Sequence, residues 1–282
     1  MPLVFPIEIP KNREIGKNRA NLQSPNKCAV KLHHLVESKV FSPAQRFQKW
    51  QQISETTLCS SSTIQSANFQ RLSDADLFNL FDLTDGHFFN GLVGDHLAAH
   101  KHDLSFRVSR RMTSSGGITT TRLPVRRRGK MQFEIAISST LLFESFRDDK
   151  KPINVTGMLC STRLQALMRI MEHEMIHLVE MMLWQDSSCS KRRFKGIAFR
   201  LFGHRQSTHE LLAPSDNAAK NLDIAIGDHV RFQRGKTCLA GFVNRITKRA
   251  TVLVPDRKGV LYSDGNRYQK YYVPVSKLRK AS

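Results

Sequence analysis

His173-Glu174-Met175-Ile176-His177 sets two imidazoles around a carboxylate within five residues. In a helix, a spacing of four puts both imidazoles on one face. Two neutral imidazoles there can bind one Zn²⁺, and the intervening carboxylate can take a proton from water beside the metal. Such a site needs a third protein ligand and an open position. Four residues downstream can supply the ligand. Cys189 lies in a polar loop 12 residues past His177 and offers a thiolate. His204 and His209 lie 27 and 32 residues past it, and Glu180 follows it by three on nearly the same face. Each has a plainer reading: a buried small side chain for Cys189, a partner for free helix carbonyls for His204, and surface exposure for the other two.

Periodicity shows which helices and strands carry these residues. Ser161 can cap a helix running from about Thr162 to Trp184, free of Pro and Gly. Leu164, Met168, Met171, Met175, Leu178 and Met182 give it an apolar stripe, which reads as core packing. A basic helix follows from about Lys191 to Phe202, with Phe194, Ile197, Ala198 and Leu201 inward and Gly203 as its stop. Upstream, Ser73 and Asp76 form a capping box ahead of Leu77, Leu80 and Phe81, and Asn90-Gly91 ends that region. Alternation at Leu104, Phe106 and Val108, a Thr-rich run from Ile118 to Leu123, and alternation at Phe133, Ile135 and Ile137 give three strands, with Gly116-Gly117 as a turn. Ser138 to Thr140 can start a short helix bearing Leu142, Phe143 and Phe146.

This pattern predicts an α+β fold: a small, mostly antiparallel sheet packed on helices that include the one carrying the two histidines, plus a small all-β barrel. Residues 1–70, interrupted by Pro6, Pro10, Pro25 and Pro43 and containing the Ser-rich run after Cys59, read as a poorly ordered extension. Residues 71–215 read as the metal-site domain. Residues 225–278, with short apolar runs punctuated by Gly235, Gly241 and Gly259, read as the barrel.

The chain of 282 residues carries 44 Lys and Arg against 24 Asp and Glu, a formal charge of +20. Residues 221–282 are the most basic for their length, with 13 basic and 4 acidic side chains. That field favours a polyanion, DNA or other nucleic acid, as partner. Arg245, Lys248, Arg249, Arg257, Lys258, Arg267 and Lys270 can meet phosphates, and Tyr262, Tyr268, Tyr271 and Tyr272 can stack on bases or fill the barrel core. No apolar run is long enough to span a membrane and the start does not read as a signal peptide, so no membrane partner is expected. Five scattered cysteines speak against a disulfide framework and for a reducing, cytoplasmic setting.

Together these residues resemble the SprT-like zinc metalloprotease family, which includes the Spartan-type DNA–protein crosslink proteases. The likeness spans about 77–205. It rests on Leu77-Phe78-Asn79-Leu80-Phe81, Phe88-Phe89-Asn90-Gly91, Gly117 with the Thr-rich strand, Ile135-Ala136-Ile137-Ser138, the His173 to Leu178 run, and Phe194. The resemblance implies a small sheet on helices, Zn²⁺ held by His173, His177 and a third ligand, Glu174 as catalytic base, and a protein substrate cut as an endopeptidase cuts. The family usually has a His-Gly pair a few residues before the phenylalanine matching Phe194. This chain has Ser190-Lys191 there, directly after Cys189, which leaves Cys189 or a more distant histidine as third ligand. Residues 225–278 resemble SH3-like barrels, opening on Gly227-Asp228-His229-Val230. Two other readings remain open: a nucleic-acid-binding protein whose zinc is structural and which has no protease activity, and a metal-dependent hydrolase of a small molecule.

Overall fold

A computed structural model describes residues 25–122, 130–147, 152–209, 211, 224–235, 237–246 and 249–281. The first two elements are helices, α1 (Pro25–Ser38) and α2 (Pro43–Ser60). Their prolines sit at the helix starts, where the missing N–H removes no hydrogen bond. Ser42 caps α2 in a reciprocal box with Gln45. Leu32 and Val36 of α1, Ile53 of α2, and Ile64 and Phe69 beyond them lie in the same hydrophobic core as the histidine-bearing helix. The expected poor order of residues 1–70 therefore does not hold for 25–70, and 1–24 fall outside the described residues. The Ser-rich stretch is ordered as well. Ser61 and Thr63 both donate to the buried carboxylate of Asp76, which also closes the predicted box with Ser73.

That box starts α3 (Asp74–Thr84), which runs into a five-residue π-helical turn, Asp85–Phe89. Asn90 and Gly91 then take left-handed backbone, and Asp85 accepts from the Val93 and Gly94 amides at the start of α4 (Leu92–Ala99).

The three predicted strands form: β1 (Asp103–Ser109), β2 (Gly117–Arg122) and β3 (Gln132–Ser138). Their order is β1-β3-β2, with β3 parallel to β1 and antiparallel to β2. The sheet is thus mixed rather than mostly antiparallel. β3 carries apolar residues on both alternations (Phe133, Ile135, Ala136 and Ile137 are all buried), so it takes the centre, where both faces are covered. β1 and β2 each keep a polar face and form the edges. Residues 123–129, between β2 and β3, lie outside the described residues.

Ser138 caps α5 (Ser139–Ser145). A hairpin that periodicity did not indicate follows, β4 (Ile153–Val155) and β5 (Met158–Cys160), turning through left-handed Thr156 and Gly157. Thr162, one residue beyond the expected Ser161, caps α6 (Arg163–Trp184). Met168, Met171 and Met175 are buried as core residues. α7 (Arg192–Phe202) buries Phe194, Ile197, Ala198 and Leu201 and stops at left-handed Gly203. Among the described residues no helix is long and apolar enough to cross a membrane.

The C-terminal unit is an antiparallel sheet of β6 (His229–Arg234), β7 (Thr237–Ile246), β8 (Ala250–Leu261), β9 (Arg267–Val273) and β10 (Arg279–Lys280), in the order β10-β6-β7-β8-β9. It has its own core of Ile224, Val230, Phe232, Val243, Val252, Val273 and Leu278. The unit thus reaches slightly beyond 225–278 at both ends. The fold as a whole is α+β.

Candidate metal centre

α6 sets His173 and His177 side by side, with their Nε2 atoms 3.2 Å apart. Two nitrogens each about 2.0–2.1 Å from a tetrahedral ion lie about 3.3 Å from one another, so this gap fits a shared metal. Gln185, left-handed at the helix end, reverses the chain and brings the following loop back along α6. The loop returns Cys189, and one donor atom from each of His173, His177 and Cys189 lies within 4.8 Å of the other two. No other such group of three occurs among the described residues. His173 is buried, while His177 and Cys189 are half-buried. Phe194 of α7 packs against both imidazoles, at ring-centroid distances of 4.8 and 4.5 Å. Burial, with neighbouring histidines adding to it, pushes His173 down to about 2, and burial also lowers His177. Burial thus favours the neutral imidazole at both positions, the form a metal ligand takes.

The other three candidates have different partners. Glu180 is fully buried and accepts from the Ser187 hydroxyl at 2.7 Å and from Arg193 Nε at 2.7 Å. His204 Nε2 lies 2.8 Å from Glu172 Oε2, whose other oxygen accepts from Trp50 Nε1 at 2.8 Å and meets Arg169 at 2.9 Å. That buried network ties α2, α6 and the end of α7 together. His209 stands edge-on to His173, with ring centroids 5.0 Å apart, but its nitrogens fall outside the three-donor cluster. Burial lowers it to about 4.

Glu174 faces β2. The Thr119 hydroxyl lies 2.8 Å from Glu174 Oε2 and 3.0 Å from the Glu174 carbonyl, and can donate to either. Burial pushes the carboxyl up to about 7 against the opposing pull of that hydrogen bond. Gly117 lies directly over the carboxylate: a Cβ there would fall 2.6 Å from Glu174 Oε1. Gly116 makes similar room for Leu211 and His209. The Gly pair is thus the place where a strand edge passes close to the site, and Gly117 already belongs to β2. Sequence reasoning missed Thr119, Ser187 and Arg193. The glycine pair, read from the sequence as a turn, was the one available signal, and Gly117 instead opens β2.

In the C-terminal unit the tyrosines divide. Tyr268 is buried and donates to Asp264 at 2.8 Å, and Tyr271 packs on Phe232 with Arg234 over its ring. Tyr272, at 65% exposure, alternates outward on β9 together with Lys270. Strand register places Lys270 in one row with Leu253, Phe242 and His229. Phe242, 44% exposed and absent from the predicted set, shares this outer face, to which Arg231 and Arg245 also belong. Lys248 lies outside the described residues.

No family model matches the chain, and comparison with curated proteins and with solved structures finds no match either.

Proposed function

We propose that this protein is a zinc-dependent endopeptidase of the SprT-like kind, acting in the cytoplasm on proteins associated with DNA. The observation that carries the reading is the pairing of a His173–His177–Cys189 cluster with a buried carboxyl, Glu174, held against a strand edge beside it. His173, His177 and Cys189 would hold a Zn²⁺ ion, which would supply Lewis acidity toward a carbonyl and a more acidic water. Glu174 takes the proton of the attacking water and delivers it to the leaving amine nitrogen. Thr119 fixes where that carboxylate points, and Phe194 fixes the two imidazole planes. With three protein donors, a bound zinc would keep room for water or substrate.

The test has two parts. Protein purified without chelator should hold about one zinc per chain, the stoichiometry of a single site. Glu174→Gln should keep that zinc and lose cleavage of a protein substrate, with and without DNA. Equal cleavage by both proteins refutes the mechanism.

A second reading draws on the outer face of the C-terminal sheet. Phe242 and Tyr272 sit there among Arg231, Arg245 and Lys270, as on surfaces that stack bases and track phosphates. Under it the zinc is structural and the protein only binds nucleic acid. It is favoured if Glu174→Gln changes nothing while Phe242→Ala with Tyr272→Ala weakens DNA binding by the full chain.

A further inference from the structure

The Cys189 loop contains a chain of contacts that the catalytic reading leaves unused. His177 Nδ1 lies 2.7 Å from Ser187 Oγ. The Ser187 hydroxyl donates to Glu180 Oε2 at 2.7 Å. Arg193 Nε donates to Glu180 Oε1 at 2.7 Å, and Arg193 Nη2 donates to the Asp186 carbonyl at 2.7 Å. The Arg193 guanidinium also stacks over the Trp184 ring, 4.4 Å from its centroid. Arg193 on α7 thus grips the end of α6, the start of the loop and Glu180 together.

The direction of each hydrogen bond follows from the chemistry of the groups. A carboxylate paired with a guanidinium only accepts, so the single proton of Ser187 is committed to Glu180. The Ser187 oxygen then has only lone pairs to offer His177. For that 2.7 Å contact to be a hydrogen bond, the proton of the neutral imidazole must sit on Nδ1. The Nε2 lone pair is left pointing at His173 Nε2.

We infer that Arg193, Glu180 and Ser187 form a positioning relay that fixes His177 in the tautomer a metal needs and pins the loop bearing Cys189. The inference rests on the metal-site reading and deepens it: it assigns metal affinity to three residues that do not touch the metal. Sequence spacing supports the arrangement. Glu180 stands three residues past His177 on one face of α6, and the reversal at Gln185 returns Ser187 alongside them. Glu180, which resembles a ligand in the sequence, acts through Ser187 instead.

The experiment measures zinc affinity of the full chain by competition with a chromophoric chelator. Ser187→Ala should weaken zinc by about 10–100-fold, the usual cost of losing an outer-shell partner. Ser187→Thr, which keeps the hydroxyl, should restore most of that loss. Ser188→Ala should bind as wild type, because among the described residues the Ser188 hydroxyl meets only Ser190 in the same loop. Cobalt-substituted protein gives a second readout: its visible spectrum should change in Ser187→Ala and return in Ser187→Thr. Independently of any variant, long-range ¹H–¹⁵N spectra of metal-free wild type should show His177 as the Nδ1–H tautomer. An Nε2–H tautomer, or wild-type affinity in Ser187→Ala, overturns the relay while leaving the metal site standing. A wild type that takes up no zinc removes both.

Discussion

Replacing Gly117 by Ala tests the geometry around Glu174 most directly. The new methyl would fall 2.6 Å from Glu174 Oε1, 2.7 Å from Glu174 Cγ and 2.8 Å from Ile170 Cγ2, where ordinary contact begins near 3.4 Å. The carboxylate alone cannot solve this by swinging its tip, because Cγ and a buried Ile170 methyl are hit as well. Glu174 is moreover tethered to Thr119. Either the carboxyl or the β2 edge must retreat by about 0.8 Å at the closest contact, the difference between the two distances. Overpacking of this kind costs about 1–3 kcal/mol. At about 2–4 °C per kcal/mol for a unit of this size, Tm should fall by about 2–12 °C. A displacement approaching 1 Å at a proton-transfer group costs about 100-fold in rate. Zinc content should not change, since His173, His177 and Cys189 are untouched. The assays are a thermal melt, zinc per chain, and kcat/KM on a protein substrate. Gly86→Ala is the control: a Cβ at Gly86 meets nothing within 4 Å, so its Tm should hold or rise. A Gly117→Ala protein with wild-type Tm and wild-type kcat/KM would refute the proposed closeness of β2 to Glu174.

Other predictions address the scaffold. Ile53→Ala in α2 should cost about 2–5 kcal/mol and lower the melt of the unit bearing the metal site, because Ile53 is fully buried in the shared core. A chain lacking residues 25–60 that melts like the intact one would contradict this. Glu172→Gln leaves the buried Arg169 without its carboxylate and should cost about 3–5 kcal/mol in denaturant unfolding. A change under 1 kcal/mol would show that the Trp50–Glu172–Arg169–His204 network is not structural. Acid sensitivity should trace in part to His96, which burial and then its neighbours His100 and His102 push down to about 4. With an unfolded value near 6.5, the unfolded chain takes up a proton that the folded chain refuses, so stability is full above about 6.5 and falls toward about 4. His96→Phe, which keeps an aromatic ring against His100, should make Tm fall less steeply over that window, the remainder coming from His173, His177 and His209. Parallel Tm–pH curves for the two proteins would exclude His96 as the source.

Elements with local signals were legible in the amino-acid pattern alone. A helix's side-chain period is set by its own backbone, so the stripe from Leu164 to Met182 showed both the helix and the common face of His173 and His177. Caps are equally local: Ser73 with Asp76, Ser138 and Gly203 bound their helices through groups within a few residues. Cys189 could be named as a ligand candidate because a loop of that length can double back. Choosing among the candidates required the packed fold, since the choice turns on which other groups each side chain meets. Glu180 and Cys189 were both within reach of His177, but Arg193 and Ser187 engage Glu180 and leave Cys189 facing the histidines. His204 went to Glu172 across 32 residues, and Thr119 reached Glu174 across 55. The ordering of residues 25–70 and the central place of β3 were hidden for the same reason. Amphipathic helices and alternating strands are stabilised by whatever they bury against, and the identity of that surface is a property of the whole packed core rather than of any local pattern.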